Sequence, residues 1–399
     1  MRRTLTMAVA AAALLLTTGP MPVAGAGGAA HAAVGRWSAR EAQSFWTAER
    51  MASAVPLPPA HPAPPGTEPV TGPADGPDPA AAAAPADGVR TEPSEVPLPA
   101  VPPAPDPTAA DPAAPPVLPA PAPTPSPTAT PAPNPTPAAT AAQVVKPVVK
   151  PAPAPPAFAG PGVGQDFDGV PAVGRMFVVK GGGAYFCTAS VVASPGHNLV
   201  LSAAHCLTGS DTQRVAFVPH YTRANPQPYG MFPVLQSGGH SRIWIDPRYR
   251  SRGPDRAATL DVAFAQVGPG RDGFAVEDVV GANRLLTRSG YAHAQVTLIG
   301  YPAAAARPRL CVNRTTKFTS ADARIPGSFQ RIDCTGYPGG TSGGPFLLHY
   351  DARTGTGDVV GVIGGWKTGG DNADTSYSSY FGASVRKLYE KAAAAAKAG

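Results

Sequence analysis

The chain has 399 residues, a formal net charge of +6 and 52 prolines, about two-thirds of which lie between Pro56 and Pro156. That density excludes regular helix and sheet from the tract and leaves roughly the last 230 residues to build one sizeable core. The modest charge, with Arg248, Arg250, Arg252 and Arg256 as the only arginine-dense stretch and broken by Asp246 and Asp255, is weaker than the patch of a nucleic-acid surface and argues for a solvated loop.

In chain order, Arg2 and Arg3, the apolar run from Met7 to Leu16 and the small residues ending in Ala30-His31-Ala32 read as a secretory signal peptide over 1–33. Thr17-Thr18-Gly19-Pro20 cuts the apolar run short of the ~20 residues that a span requires, so no stable membrane span is expected. Ser38-Ala39-Arg40-Glu41 is a capping-box pattern that leads into a helix over 42–54, with Phe45, Trp46 and Met51 on its apolar face. Segment 34–55 reads equally as a short helical pro- or docking segment that packs on the later domain or as a partly structured tail. Residues 56–160 form a disordered Pro/Ala-rich linker that leans to polyproline II. A passive tether or a cleaved pro-region is its plain use, and its reach also allows contact with the cell wall.

From about Phe167 the texture is all-β. Runs over 186–193 and 198–202, separated by Ser194-Pro195-Gly196-His197, read as a hairpin. Further short strands are expected at 261–267, 295–300, 345–348 and 359–364, which favours a sandwich or a barrel. A C-terminal helix over 383–395 places Val385, Leu388 and Tyr389 on one face. The four cysteines suit export: Cys187 and Cys206 are close in sequence, as are Cys311 and Cys334, although three pairings are open. No C-x-x-C occurs and His197, His220, His240, His293 and His349 lack ligand spacing, so neither a metal nor a cofactor is expected.

Three segments carry chemistry. Ser342 sits among Gly340, Gly343 and Gly344, where glycines let the backbone turn its amides toward one point. The amides of Gly340 and Ser342 are candidates for an oxyanion hole. His205 follows an apolar run and precedes Cys206, and a Cys187–Cys206 bridge would hold it as a general base. Asp261 opens a second apolar run, where burial of an acid demands a partner such as an imidazole N–H. A serine needs such a base, and the base an orienter, before it becomes a nucleophile.

Phe186-Cys187-Thr188-Ala189-Ser190, Leu201-Ser202-Ala203-Ala204-His205-Cys206, Leu260-Asp261-Val262-Ala263 and the run from Gly340 to Pro345 resemble the chymotrypsin/trypsin-like serine endopeptidases. Secreted actinobacterial and glutamyl-endopeptidase-like branches, with a Gly300-Tyr301-Pro302 segment, are the nearest in pattern. Over about 168–389 the resemblance implies two six-stranded antiparallel β-barrels with a triad of His205, Asp261 and Ser342 in the cleft. It implies a secreted, monomeric endopeptidase acting on protein or peptide substrates through an acyl-enzyme, with residues 161–399 as the protease domain. Thr341 stands where animal members keep an aspartate for a freed amino terminus, so activation by that ion pair is not expected. Gly336 and Tyr337, with Gly364, Gly365 and Trp366, are the expected substrate-binding positions. Gly336 replaces the acid of trypsin-like members, and the 362–366 strand has no histidine of the Glu-specific kind. Asp371, in the loop after Trp366, could enter the pocket and favour a basic side chain, but it reads more simply as a surface turn residue, which leaves an apolar or small residue as the expected preference before the scissile bond.

Two rivals remain. Gly340-Thr341-Ser342-Gly343-Gly344 also fits the G-x-S-x-G turn of α/β-hydrolases, but only His349 follows Ser342, so the order serine, acid, histidine fails. A catalytically inactive, protease-like binding or cell-wall interaction protein is the second rival, against which the complete triad argues.

Overall fold

The computed structural model describes residues 37–58 and 160–397. The signal-peptide reading and nearly all of the linker reading lie outside these residues. The strands are built from alternation in which both faces are apolar. In Val173–Lys180, Met176 and Val178 enter one core cluster while Val173 and Phe177 enter another. Gly183–Val192 does the same, with Cys187, Ala189 and Val191 on one face and Phe186 and Val192 on the other. Strands of this kind need cover on both sides.

Two eight-stranded sheets provide it, each with six longer strands and two strands of two residues. The first runs from Ile243–Ile245 through Ala263–Gln266, Leu199–Ser202, Gly183–Val192, Val173–Lys180 and Gln213–Pro219 to Phe232–Pro233, all antiparallel. An antiparallel bridge between Val234 and Val267 curls it back on itself. The second contains Thr356–Val362, Pro345–Asp351, His293–Gly300, Arg309–Thr319, Ser328–Asp333 and Thr375–Ser379 in that order. The Gly364 amide, just past Val362, donates to the Tyr377 carbonyl at 2.9 Å and brings its two ends together. Eight strands rather than six arise because short pieces such as Val55–Pro56 and Gln165–Asp166 add to open edges.

The expected hairpin forms with Ser190 opposite Leu201. Cys187–Cys206 and Cys311–Cys334 are both disulfide-bonded, which selects one of the three open pairings. The C-terminal helix spans Ala383–Lys397 and buries Val385, Ala392, Ala393 and Ala396, with Leu388 and Tyr389 partly covered. The arginine-dense stretch is not a loop. It is a helix, Pro247–Arg256, kinked at Gly253 where φ is +80°. Asp246 caps it by accepting from the Arg248 amide at 2.9 Å, and Pro247 opens it, while the arginines stay exposed.

The N-terminal segment departs further from its reading. Ser38 and Glu41 do form the capping box, but the single expected helix is two, Ala39–Phe45 and Ala48–Ser53, with Thr47 capping the second. The break lets several apolar side chains reach the outer face of the first sheet. Trp46 packs on Phe177 with ring centroids 5.3 Å apart and donates its indole N–H to the Arg214 carbonyl at 2.7 Å. Trp37 donates likewise to Val215 at 2.9 Å, and Trp37, Ala42, Trp46, Met51 and Ala54 are buried in the largest core cluster. This is docking into the core rather than loose contact. Trp46→Ala is therefore expected to cost about 3–5 kcal/mol of folding stability, read as a lower urea midpoint with an unchanged slope.

Candidate active site

His205 lies in a one-turn helix, Ala204–Leu207, at the end of strand Leu199–Ser202, and the Cys187–Cys206 bridge fixes that turn against the neighbouring strand. Lys180 donates to the His205 carbonyl at 3.2 Å, with burial lowering the pKa of its ammonium to about 8. Asp261 is not the first residue of its strand. It ends a short 3₁₀ turn, Ala258–Leu260, two residues before Ala263–Gln266. There it is fully buried, and three N–H groups converge on it. The His205 Nδ1 lies 2.8 Å from Oδ2 and the His205 amide donates to Oδ1 at 2.8 Å, while the Gly365 amide also reaches Oδ2 at 2.8 Å. Burial pushes this carboxyl up, but the adjacent His205 and these donors outweigh it and hold it below the usual carboxylate range. The buried Tyr249 phenol is pushed well up by burial and by the charge of Asp261.

Ser342 lines the same cavity as His205, a cleft of about 450 Å³ in which Thr341, Ile363 and residues 367–373 also take part. The loop around Ser342 is held largely by one residue outside the expected set. Thr188, fully buried, donates its amide to the Ser342 carbonyl at 2.8 Å and its hydroxyl to the Gly340 carbonyl at 2.9 Å. Its hydroxyl accepts from the Tyr301 amide at 2.9 Å and its carbonyl from Ser202 Oγ at 2.8 Å. The signal for it was its place beside Cys187, which by itself predicts packing rather than this junction. The glycines of the loop are sterically required. Gly343 has φ of +82°, and a Cβ there would lie 2.2 Å from both Ser202 Oγ and the Thr188 carbonyl. Among the described residues no backbone carbonyl accepts from the amides of Gly340 and Ser342, and Ser342 lines the cleft.

Thr341 is buried and donates its hydroxyl to the Pro338 carbonyl at 2.8 Å, so this position is satisfied locally without an arriving amino group. Of the expected substrate-binding residues, only Tyr337 lines the cleft. Gly336 sits behind the wall, where a Cβ would lie 1.7 Å from Arg309 Nη1. Gly364 and Gly365 serve Asp261: a Cβ on Gly364 would lie 2.9 Å from Oδ2, and Gly365 is one of the three donors. Trp366 packs with Phe318 and Tyr377. The far wall is instead Ile363 with 367–373. Asp371 is part of that wall, yet its carboxylate is taken by Lys367 Nζ at 2.6 Å, and Arg324 is taken by Asp322 at 2.8 Å. The ring of His205 lies near Cys187 and Cys206, but both sulfurs are in the disulfide, so no thiolate is there to hold a metal.

Residues 187–362 match a family model described as a trypsin-like peptidase domain. The chain carries a trypsin-like peptidase domain. On that ground the protein is a peptidase. Similar solved structures include the protease Anisep from Arthrobacter nicotinovorans, at 26% identity over 58% of this chain and 99% of that one, with a TM-score of 0.49. The thermostable serine protease AL20 from an extremophilic microorganism is similar at 24% identity over 56% of this chain and 97% of that one, with a TM-score of 0.47. A Glu endopeptidase is similar at 15% identity over 59% and 99%, with a TM-score of 0.42. No curated protein matches the chain.

Proposed function

We propose that this trypsin-like domain is a secreted serine endopeptidase working through His205, Asp261 and Ser342. The observation that carries the reading is the buried Asp261 carboxylate at 2.8 Å from His205 Nδ1, in a turn whose histidine shares a cleft with Ser342. Asp261 fixes the imidazole tautomer with N–H at Nδ1, which frees Nε2 to accept the Ser342 proton. Ser342 Oγ attacks the peptide carbonyl, whose oxygen gains the charge and accepts from the amides of Gly340 and Ser342. Collapse of the tetrahedral species breaks the C–N bond, and His205 gives its proton to the departing amine. Water, deprotonated by the same imidazole, then hydrolyses the acyl-enzyme ester.

With Lys367 and Asp371 paired, the cleft offers no lone charge on its far wall, which favours an apolar or small residue before the scissile bond. Export through the 1–33 segment, the protease domain at 161–399 and a linker able to reach the cell wall complete the proposal, and two disulfides are in keeping with an oxidising compartment.

A fluorophosphonate probe tests it. The protein with its signal segment removed is expected to take up one equivalent at Ser342, and Ser342→Ala none. Absence of labelling, or labelling that survives the substitution, would sink the endopeptidase reading and favour a binding protein on a protease fold.

A further inference from the structure

One cleft residue comes from the segment before the proline-rich tract. Leu57, at the end of the docked N-terminal segment, lines the cavity together with His205 and Ser342. Its placement follows from an open edge. Strand Leu199–Ser202 pairs with Gly183–Val192 only at 190–192, which leaves the edge at Tyr185 and Phe186 bare. Val55 and Pro56 fill that edge in parallel, opposite Tyr185 and Phe186, and the Leu57 amide donates to the Phe186 carbonyl at 3.3 Å. Two residues further along the strand, the Thr188 amide holds the Ser342 carbonyl at 2.8 Å. A strand advances ~3.3 Å per residue, so the two anchor points are roughly 7 Å apart on one line. Pro56 closes the gap: a Cβ on Gly339 would meet it at 3.2 Å.

Position then decides which part of a substrate Leu57 meets. Ile363 and residues 367–373 form the far wall of the cleft. Leu57 packs instead against the first-sheet cluster that holds Cys206 and Leu207, the two residues that follow His205 in the chain. The departing amine takes its proton from the imidazole, so the leaving half of the substrate must lie on that side. We propose that Leu57 is a specificity-determining wall of the cleft on the leaving-group side, selecting an apolar residue after the scissile bond. The proposal rests on Ser342 and His205 acting as read above. It gives the N-terminal segment a role in substrate choice, with the buried tryptophans as its anchor and Leu57 as its working end.

The test compares the full chain with Leu57→Gly and Leu57→Asp on peptide libraries with a fixed acyl half and varied residues after the scissile bond. The unaltered protein is expected to favour Leu, Met or Phe over Asp and Lys at one of those positions. Leu57→Gly should lose that preference by roughly tenfold, the scale of one apolar pocket contact. Leu57→Asp should shift the preference toward Lys or Arg. Hydrolysis of a small ester with no residue on the leaving side, and preference on the acyl side, should stay within about twofold. Unchanged leaving-side preference with normal fluorophosphonate labelling would overturn this proposal alone, whereas no labelling of the unaltered chain would remove the endopeptidase reading and this one with it. Labelling or ester hydrolysis about tenfold faster in Leu57→Gly would make the residue a plug rather than a wall, and would also overturn it. If Leu57→Asp fails to fold, Leu57→Gly carries the comparison.

Discussion

Ser342→Ala and His205→Ala are each expected to lower kcat by about 10⁵–10⁶, and the double variant to be no slower than either single one. The reason is that the two groups perform one act. Without the imidazole the serine keeps its proton, and without the serine the imidazole has nothing to activate. What remains on the proposed mechanism is the stabilisation by the Gly340 and Ser342 amides, which would act on any oxyanion formed in the cleft, including one made by direct attack of water. Initial rates normalised to folded protein would check this. A double variant far slower than the singles would mean that the residues act separately, contrary to the proposed unit.

Asp261→Asn is expected to cost about 10⁴ in kcat with little change in KM. Each carboxylate oxygen of Asp261 is already met by N–H groups, from His205 and Gly365. An amide in its place turns one acceptor into a donor, so an N–H must face an N–H or the imidazole must take the other tautomer. The other tautomer puts the proton on Nε2, where the serine needs a base. Stability changes with pH in a defined sense. Because the folded carboxyl lies below its ordinary value of 3.8, its contribution is complete above about pH 5 and is lost as pH falls through the lower folded value. Urea midpoints measured from pH 7 to pH 3 should show this acid-side loss in the unaltered protein and a smaller one in Asp261→Asn.

The parts of the site visible in the sequence were those where a side chain performs the chemistry. A histidine beside a cysteine, an acid heading an apolar run and a serine among glycines are each unusual, and their order limits the folds that can unite them. The positions that misled were those where backbone does the work. Gly364 and Gly365 look like a pocket wall in sequence, yet one leaves space for Asp261 and the other donates to it, and a glycine's letter does not say which. Leu57 was hidden for another reason: its partner Phe186 lies on the far side of the proline-rich tract, so no local pattern links them. The helix Pro247–Arg256 was legible after all, since Asp246 followed by Pro247 is a strong helix start, but the charge of the stretch drew the reading toward a loop.

The docking of Trp37 and Trp46 also settles what kind of object residues 59–159 are in the connectivity of the chain. They join a segment buried in the core to the domain that buries it, so both ends of the tract leave from one folded body. A cut anywhere within it leaves two polypeptides and one particle, joined by indole hydrogen bonds and aromatic contacts instead of by peptide bonds. The two fragments would part on a denaturing gel and travel together through a sizing column.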